Sequence, residues 1–183
     1  MTQRPVKGAR RVTRLALLTA IALTIFMVEA QIPVAVPIPG IKLGLANIVT
    51  VYTVFALGAG DALLVLVCRV FLGAVFSGQM MTLMYSLGGG LLCWLAMVGL
   101  KRLLTVNQLW LCSPLAAICH NLGQLLVAAG VMKTWAVLAY LPYLVIAGAG
   151  AGLFTGLCAQ FLMQRLDRLE SGRKEENHGA KGH

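Results

Sequence analysis

Between residues 15 and 162 this chain is a near-continuous series of apolar runs, and its charged residues there are Glu29, Lys42, Asp61, Arg69, Lys101, Arg102 and Lys133. A bilayer-crossing helix takes about 20 apolar residues. Backbone groups at that depth must be satisfied inside the protein, which leaves helices or a closed barrel. The runs divide into about six segments of spanning length, near 15–30, 43–57, 62–77, 80–100, 114–131 and 138–162. The expected fold class is therefore an all-α integral membrane protein, a bundle of about six transmembrane helices. With 59% hydrophobic and 11% charged residues, the composition excludes an ordinary soluble domain. The expected organisation is a basic N-terminal segment (1–14), a six-helix membrane domain (15–164) and a charged, disordered tail (165–183).

The net charge of +9 would suit a nucleic-acid binder, but its location points elsewhere. Arg4, Lys7, Arg10, Arg11 and Arg14 precede the first run, Lys101 and Arg102 follow the fourth, and Arg165, Arg168, Arg173 and Lys174 follow the last. With six spans all three clusters fall on one side, which the positive-inside rule makes cytoplasmic. The expected location is the bacterial inner membrane, multi-pass, with both termini cytoplasmic and membrane lipid, not nucleic acid, as the surroundings. The first run continues to Glu29 without a small-x-small cleavage site, so it reads as a retained span rather than a signal peptide. Cys68, Cys93, Cys112, Cys119 and Cys158 form no C-x-x-C pair, and read as small apolar residues rather than a metal site.

Local signals refine the spans. Pro33, Pro37, Pro39 and Gly40 forbid a regular helix between the first two runs. Asp61 follows Gly60 and reads as a cap on the third helix. Ser77-Gly78-Gln79 and Lys133-Thr134-Trp135 read as turns. Pro114 suits the first turn of the fifth helix. Gly148, Gly152 and Gly156 share one helix face and suit close packing, and Gly88-Gly89-Gly90 either loosens its helix or admits a neighbouring backbone.

Arg69 lies within DALLVLVCRVFLGAVFSG. Arginine keeps its charge, and at bilayer depth that costs about 3 kcal/mol on insertion scales. It needs a partner, a water-filled cavity or an anionic ligand. Other polar residues lie at related depths: Glu29, Lys42, Asn47, and His120, Asn121 and Gln124 on one stretch of helix. Together they suit a pocket in which Arg69 and Lys42 attract an anion, while Asn47, His120, Asn121 and Gln124 supply hydrogen bonds. Glu29 would orient Arg69 or meet a cationic group. The alternative is structural, with Glu29–Arg69 an ion pair and His120-Asn121 a tie between helices.

The string Pro39-Gly40-Ile41-Lys42-Leu43-Gly44-Leu45-Ala46-Asn47, with Arg69, Gly73, Gly88-Gly89-Gly90 and His120-Asn121-Leu122-Gly123-Gln124, resembles the heptaprenyl diphosphate synthase component I family, also called the Gx transporter family. That family is similar to the substrate-binding S components of energy-coupling-factor transporters. The resemblance implies a six-helix bundle with an outward pocket under an extracellular loop. It also implies docking of an alanine motif, matched here by Ala16 and Ala20, on a T subunit that works with ATPase subunits.

The function expected is capture of a small or vitamin-type solute from outside, without catalytic residues, cofactor or metal. Prenyl diphosphate synthases hold magnesium and diphosphate with aspartate-rich motifs; this chain has six acidic residues and no D-D-x-x-D. The alternatives are a non-catalytic accessory subunit of heptaprenyl diphosphate synthase or quinone metabolism, and a proton-coupled secondary transporter using Glu29 and His120.

Overall fold

The computed structural model describes residues 8–32, 42 and 44–179. They form six α-helices and no strand: α1 (Ala9–Glu29), α2 (Asn47–Ala56), α3 (Ala59–Ser77), α4 (Met80–Leu100), α5 (Leu109–Met132) and α6 (Leu141–Gly179). Short 3₁₀ turns at Val106–Gln108 and Trp135–Tyr140 lead into α5 and α6. Five segments are long and apolar enough to cross a membrane: α1, α3, α4, α5 and Trp135–Leu166. The Pro-rich stretch expected to close over the pocket lies outside the described residues.

The exception is α2. Its ten residues extend about 15 Å, half of a bilayer core. Within the expected span at 43–57, the described helix runs from Asn47 to Ala56. Gly44 adopts φ 84, a left-handed conformation that side-chain-bearing residues avoid, and its carbonyl accepts from the Asn47 N–H at 2.9 Å, closing a turn. Residues 44–46 lead into α2 as irregular backbone, which inside a membrane is tolerated only where protein surrounds it.

Two other expectations need correction. Asp61 makes no side-chain cap on α3; it accepts an ion pair from Arg11 and joins the starts of α1 and α3. Helix α5 begins at Leu109, with Pro114 inside it. Proline lacks one amide, and α6 closes on that point: a Cβ added to Gly152 would lie 2.6 Å from the Pro114 Cα. Beyond residue 165, α6 continues to Gly179. The Leu, Arg, Glu and Lys content there favours helix.

The turns hold as read. Gly78 (φ 65) ends α3 and Lys133 (φ 51) ends α5, while the Thr134 hydroxyl accepts from the Ala136 N–H at 3.3 Å. The glycines bring α4, α5 and α6 into backbone contact. A Cβ on Gly123 would lie 2.6 Å from the Gly88 carbonyl oxygen and 2.8 Å from the Gly89 Cα, and one on Gly156 would lie 2.7 Å from the Leu109 carbonyl oxygen. The glycine strip of α6 is therefore internal packing against α5.

One end of the bundle is sealed by apolar packing of Val54, Phe55, Cys93, Met97, Leu109, Cys112, Ala159 and Met163. There the Lys101 ammonium donates to the Val54 carbonyl at 2.6 Å, satisfying the C-terminus of α2. Burial holds Lys101 below the usual lysine pKa.

Gly123→Val should separate α4 from α5 and destabilise by about 1–3 kcal/mol or more. Gly99→Ala, where an added Cβ meets nothing within 4 Å, should leave the fold unchanged or slightly more stable. Thermal melting of the two variants in detergent checks the contrast.

Candidate functional site

Helix α2 starts inside the bundle, so its first amides need acceptors there. Its N-cap position is Ala46, which has no side-chain acceptor. The amides of Asn47, Ile48 and Val49 bond back to the Gly44, Leu45 and Ala46 carbonyls at 2.9, 3.1 and 3.3 Å, and Glu29, the last residue of α1 and 2% exposed, holds the turn that supplies those carbonyls. One carboxylate oxygen accepts from the Gly44 N–H and the other from the Ala46 N–H at 3.3 Å. A carboxylate at a helix N-terminus also complements the helix dipole. Glu29 therefore neither forms a hydrogen-bonded pair with Arg69 nor stands free for a cationic ligand. It acts on Arg69 and Lys42 by through-space attraction.

Arg69 faces inward from the middle of α3, 3% exposed. Its Nη2 donates to the Asn47 Oδ1 at 2.8 Å, so Arg69 binds the first residue of α2. Lys42 approaches from the chain just before that helix. Its ammonium lies 3.3 Å from the centroid of the Phe26 ring, a cation–π contact, and its backbone N–H donates to the Gln124 Oε1 at 3.3 Å. Burial lowers the Lys42 pKa to about 8; Glu29 opposes the shift and Arg69 adds to it.

The opposite wall is α5. A Cβ on Gly44 would lie 2.6 Å from the Asn47 Nδ2 and 3.0 Å from the His120 Cδ2. One on Gly89 would lie 2.8 Å from the Gln124 Cγ and 2.9 Å from the His120 Cε1. Two glycines thus allow Asn47, His120 and Gln124 to converge. Glu29, Lys42, Asn47, Arg69, His120 and Gln124 form one buried group at the junction of α1, α2, α3 and α5. Asn121 stands apart. Its Nδ2 donates to the Leu144 carbonyl at 2.6 Å, so it ties α5 to α6, the structural role weighed for it from sequence.

Five buried side-chain atoms lack a hydrogen-bond partner among the described residues: Asn47 Nδ2, Arg69 Nε, His120 Nδ1, Gln124 Nε2 and Asn121 Oδ1. All five belong to residues singled out in the sequence. The amide orientations are fixed by partners that have one option each. Arginine and a backbone N–H only donate, so the oxygens of Asn47 and Gln124 face them and the amide nitrogens remain open. Unpaired donors this deeply buried cost about 1–3 kcal/mol each, and native proteins keep few of them without a ligand, ion or water. No group of three His, Cys, Asp or Glu side chains comes together among the described residues to hold a metal ion.

Ala16 and Ala20 lie on an exposed face of α1. Thr13 and Thr24 on that helix return their hydroxyls to the Ala9 and Ala20 carbonyls at 3.0 Å each. Sequence reasoning missed the Glu29 cap, the Phe26 platform under Lys42 and the cradle at Gly44. The signal for the last was Gly44 three residues before a buried Asn.

Glu29→Ala should remove both acceptors from the start of α2 and lower stability by about 2–3 kcal/mol. Glu29→Gln, which keeps an oxygen, should lose less. Melting temperatures of the pair test whether the carboxylate is chiefly a cap.

A family model described as heptaprenyl diphosphate synthase component I matches residues 18–162. No curated protein and no solved structure matches the chain.

Proposed function

The chain belongs to the heptaprenyl diphosphate synthase component I family, and from that premise we propose that it is a membrane-embedded, substrate-binding subunit of a small-solute uptake transporter. The observation that carries the reading is the set of unpartnered buried donors around Arg69, Asn47 and Gln124 inside an apolar bundle. A purely structural polar cluster would pair them. A solute bearing acceptors satisfies them and neutralises the buried positive charge.

The basic flanks orient both termini toward the cytoplasm, so the group at the Glu29 end of α1 opens to the outer side of a bacterial inner membrane. The proposed domain is 15–164, and the helical extension beyond it projects into the cytoplasm. Solute contacts are assigned to Arg69, Lys42, Asn47, His120 and Gln124. Glu29 holds the mouth in shape, and Asn121 supports α5. The exposed Ala16–Ala20 face of α1 is the surface for a T subunit, with ATPase subunits supplying energy. Glu29 is occupied with the backbone of residues 44–46, which disfavours its use as a proton carrier in a gradient-driven transporter.

The description of the family supports a second reading, a non-catalytic membrane subunit that partners a prenyl diphosphate synthase. Under it, deletion of the chain lowers synthase activity while Arg69→Ala leaves that activity intact. Under the solute-binding reading, native mass spectrometry of gently extracted protein shows a bound small molecule that Arg69→Ala loses. Retention of the molecule by that variant would remove Arg69 from the site.

A pH dependence follows from Lys42. Its ammonium is present below about 8 and is lost as pH rises through that value. Binding of an anion should therefore weaken between neutral and moderately alkaline pH. Lys42→Met should bind more weakly at neutral pH, approach the wild type at moderately alkaline pH, and show no such step. Equilibrium binding across that range checks both the sign and the residue.

A further inference from the structure

The open hydrogen-bonding atoms of Arg69, Asn47 and Gln124 are all of one kind. Asn47 Nδ2, Arg69 Nε and Gln124 Nε2 donate, and each is locked as a donor by the bond its neighbouring atom makes. His120 Nδ1 donates or accepts according to tautomer. Asn121 Oδ1, the open acceptor nearby in sequence, belongs to a side chain engaged with α6. The formal charges of the group are Arg69 and Lys42 against Glu29, one positive charge beyond neutrality. Residues 33–41 and 43 contain no ionisable side chain and add no charge.

We infer that the solute carries a carboxylate as its single negative charge, held by Arg69, Asn47 and Gln124 with Lys42 at the rim. This rests on the solute-binding reading and narrows it. A carboxylate offers acceptors only, in about four lone-pair directions, enough for three donors. Its one charge brings the buried group to neutrality. A phosphate ester near neutral pH carries about 1.5 to 2 negative charges, and a diphosphate more. Either leaves uncompensated charge in a place where compensation decides the outcome. An amine would face donors with donors. The site thus selects against prenyl diphosphates despite the description of the family.

The test uses the full-length protein in mild detergent near neutral pH, melted with equal concentrations of benzoate, phenylphosphate or benzylamine, which share a ring and differ in head group. Benzoate should raise the melting temperature, with phenylphosphate about tenfold weaker in apparent affinity and benzylamine without effect. Asn47→Asp keeps the oxygen that Arg69 holds while replacing an open donor with a charged acceptor, so it should fold and lose the benzoate response. Lys42→Gln, which makes the group formally neutral, should weaken benzoate about tenfold or more.

A stronger response to phenylphosphate or benzylamine, no response to benzoate, or an unchanged benzoate response in both variants overturns the inference. A small-molecule cell extract separates this from the broader reading. Stabilisation by the extract without any by benzoate sinks the carboxylate alone, and no stabilisation by the extract or any probe sinks both.

Discussion

A turn that leads into a helix in the middle of an apolar bundle has amide groups with no water to meet them. The carboxylate of Glu29, delivered from the end of α1, accepts from two of them, those of Gly44 and Ala46, and much of the polar interior follows. It fixes where α2 starts and therefore where Asn47 lies. Asn47 in turn receives the Arg69 guanidinium, so the most expensive charge in the chain is anchored to a helix that itself depends on Glu29. Lys42 is set just upstream of the same turn, over the Phe26 ring. Removing the cap would not only fray a helix end; it would displace both cations.

The second requirement is space. Polar side chains from α2 and α5 meet because Gly44 and Gly89 have nothing where a Cβ would stand. The same lack of side chains lets α4, α5 and α6 touch along their backbones, as at Gly123 against Gly88 and Gly156 against Leu109. Helix association in an apolar solvent draws on close packing rather than on hydrophobic expulsion. The glycines therefore hold the walls rigid while leaving room for the polar group between them.

Much of this was legible in the sequence, for physical reasons. Run length gave α1, α3, α4, α5 and the first part of α6, because hydrocarbon thickness is a hard ruler. The cost of a charge in that setting pointed to Arg69, and the pattern of small residues on α6 pointed to its packing face. Composition could not show that α2 is only half a span: residues 43–46 are as apolar as a helix would be, and the left-handed Gly44 is a conformational fact. The partner of Glu29 was equally hidden. A carboxylate near two cations reads as their counterion, and nothing in the string of letters reveals that backbone amides lie closer. Residues one position apart on a helix diverge by about 100°, so of the two roles open to Asn121 the tie to α6 is the one its Nδ2 makes.

The ammonium of Lys101 beneath α2 and the apolar layer around it have a consequence for traffic. Both lie at the C-terminal end of α2, the opposite end from the Asn47 that holds Arg69. Were the polar group to take up a solute, its passage past that filled end would be beyond the reach of a rotamer change and would call for displacement of whole helices.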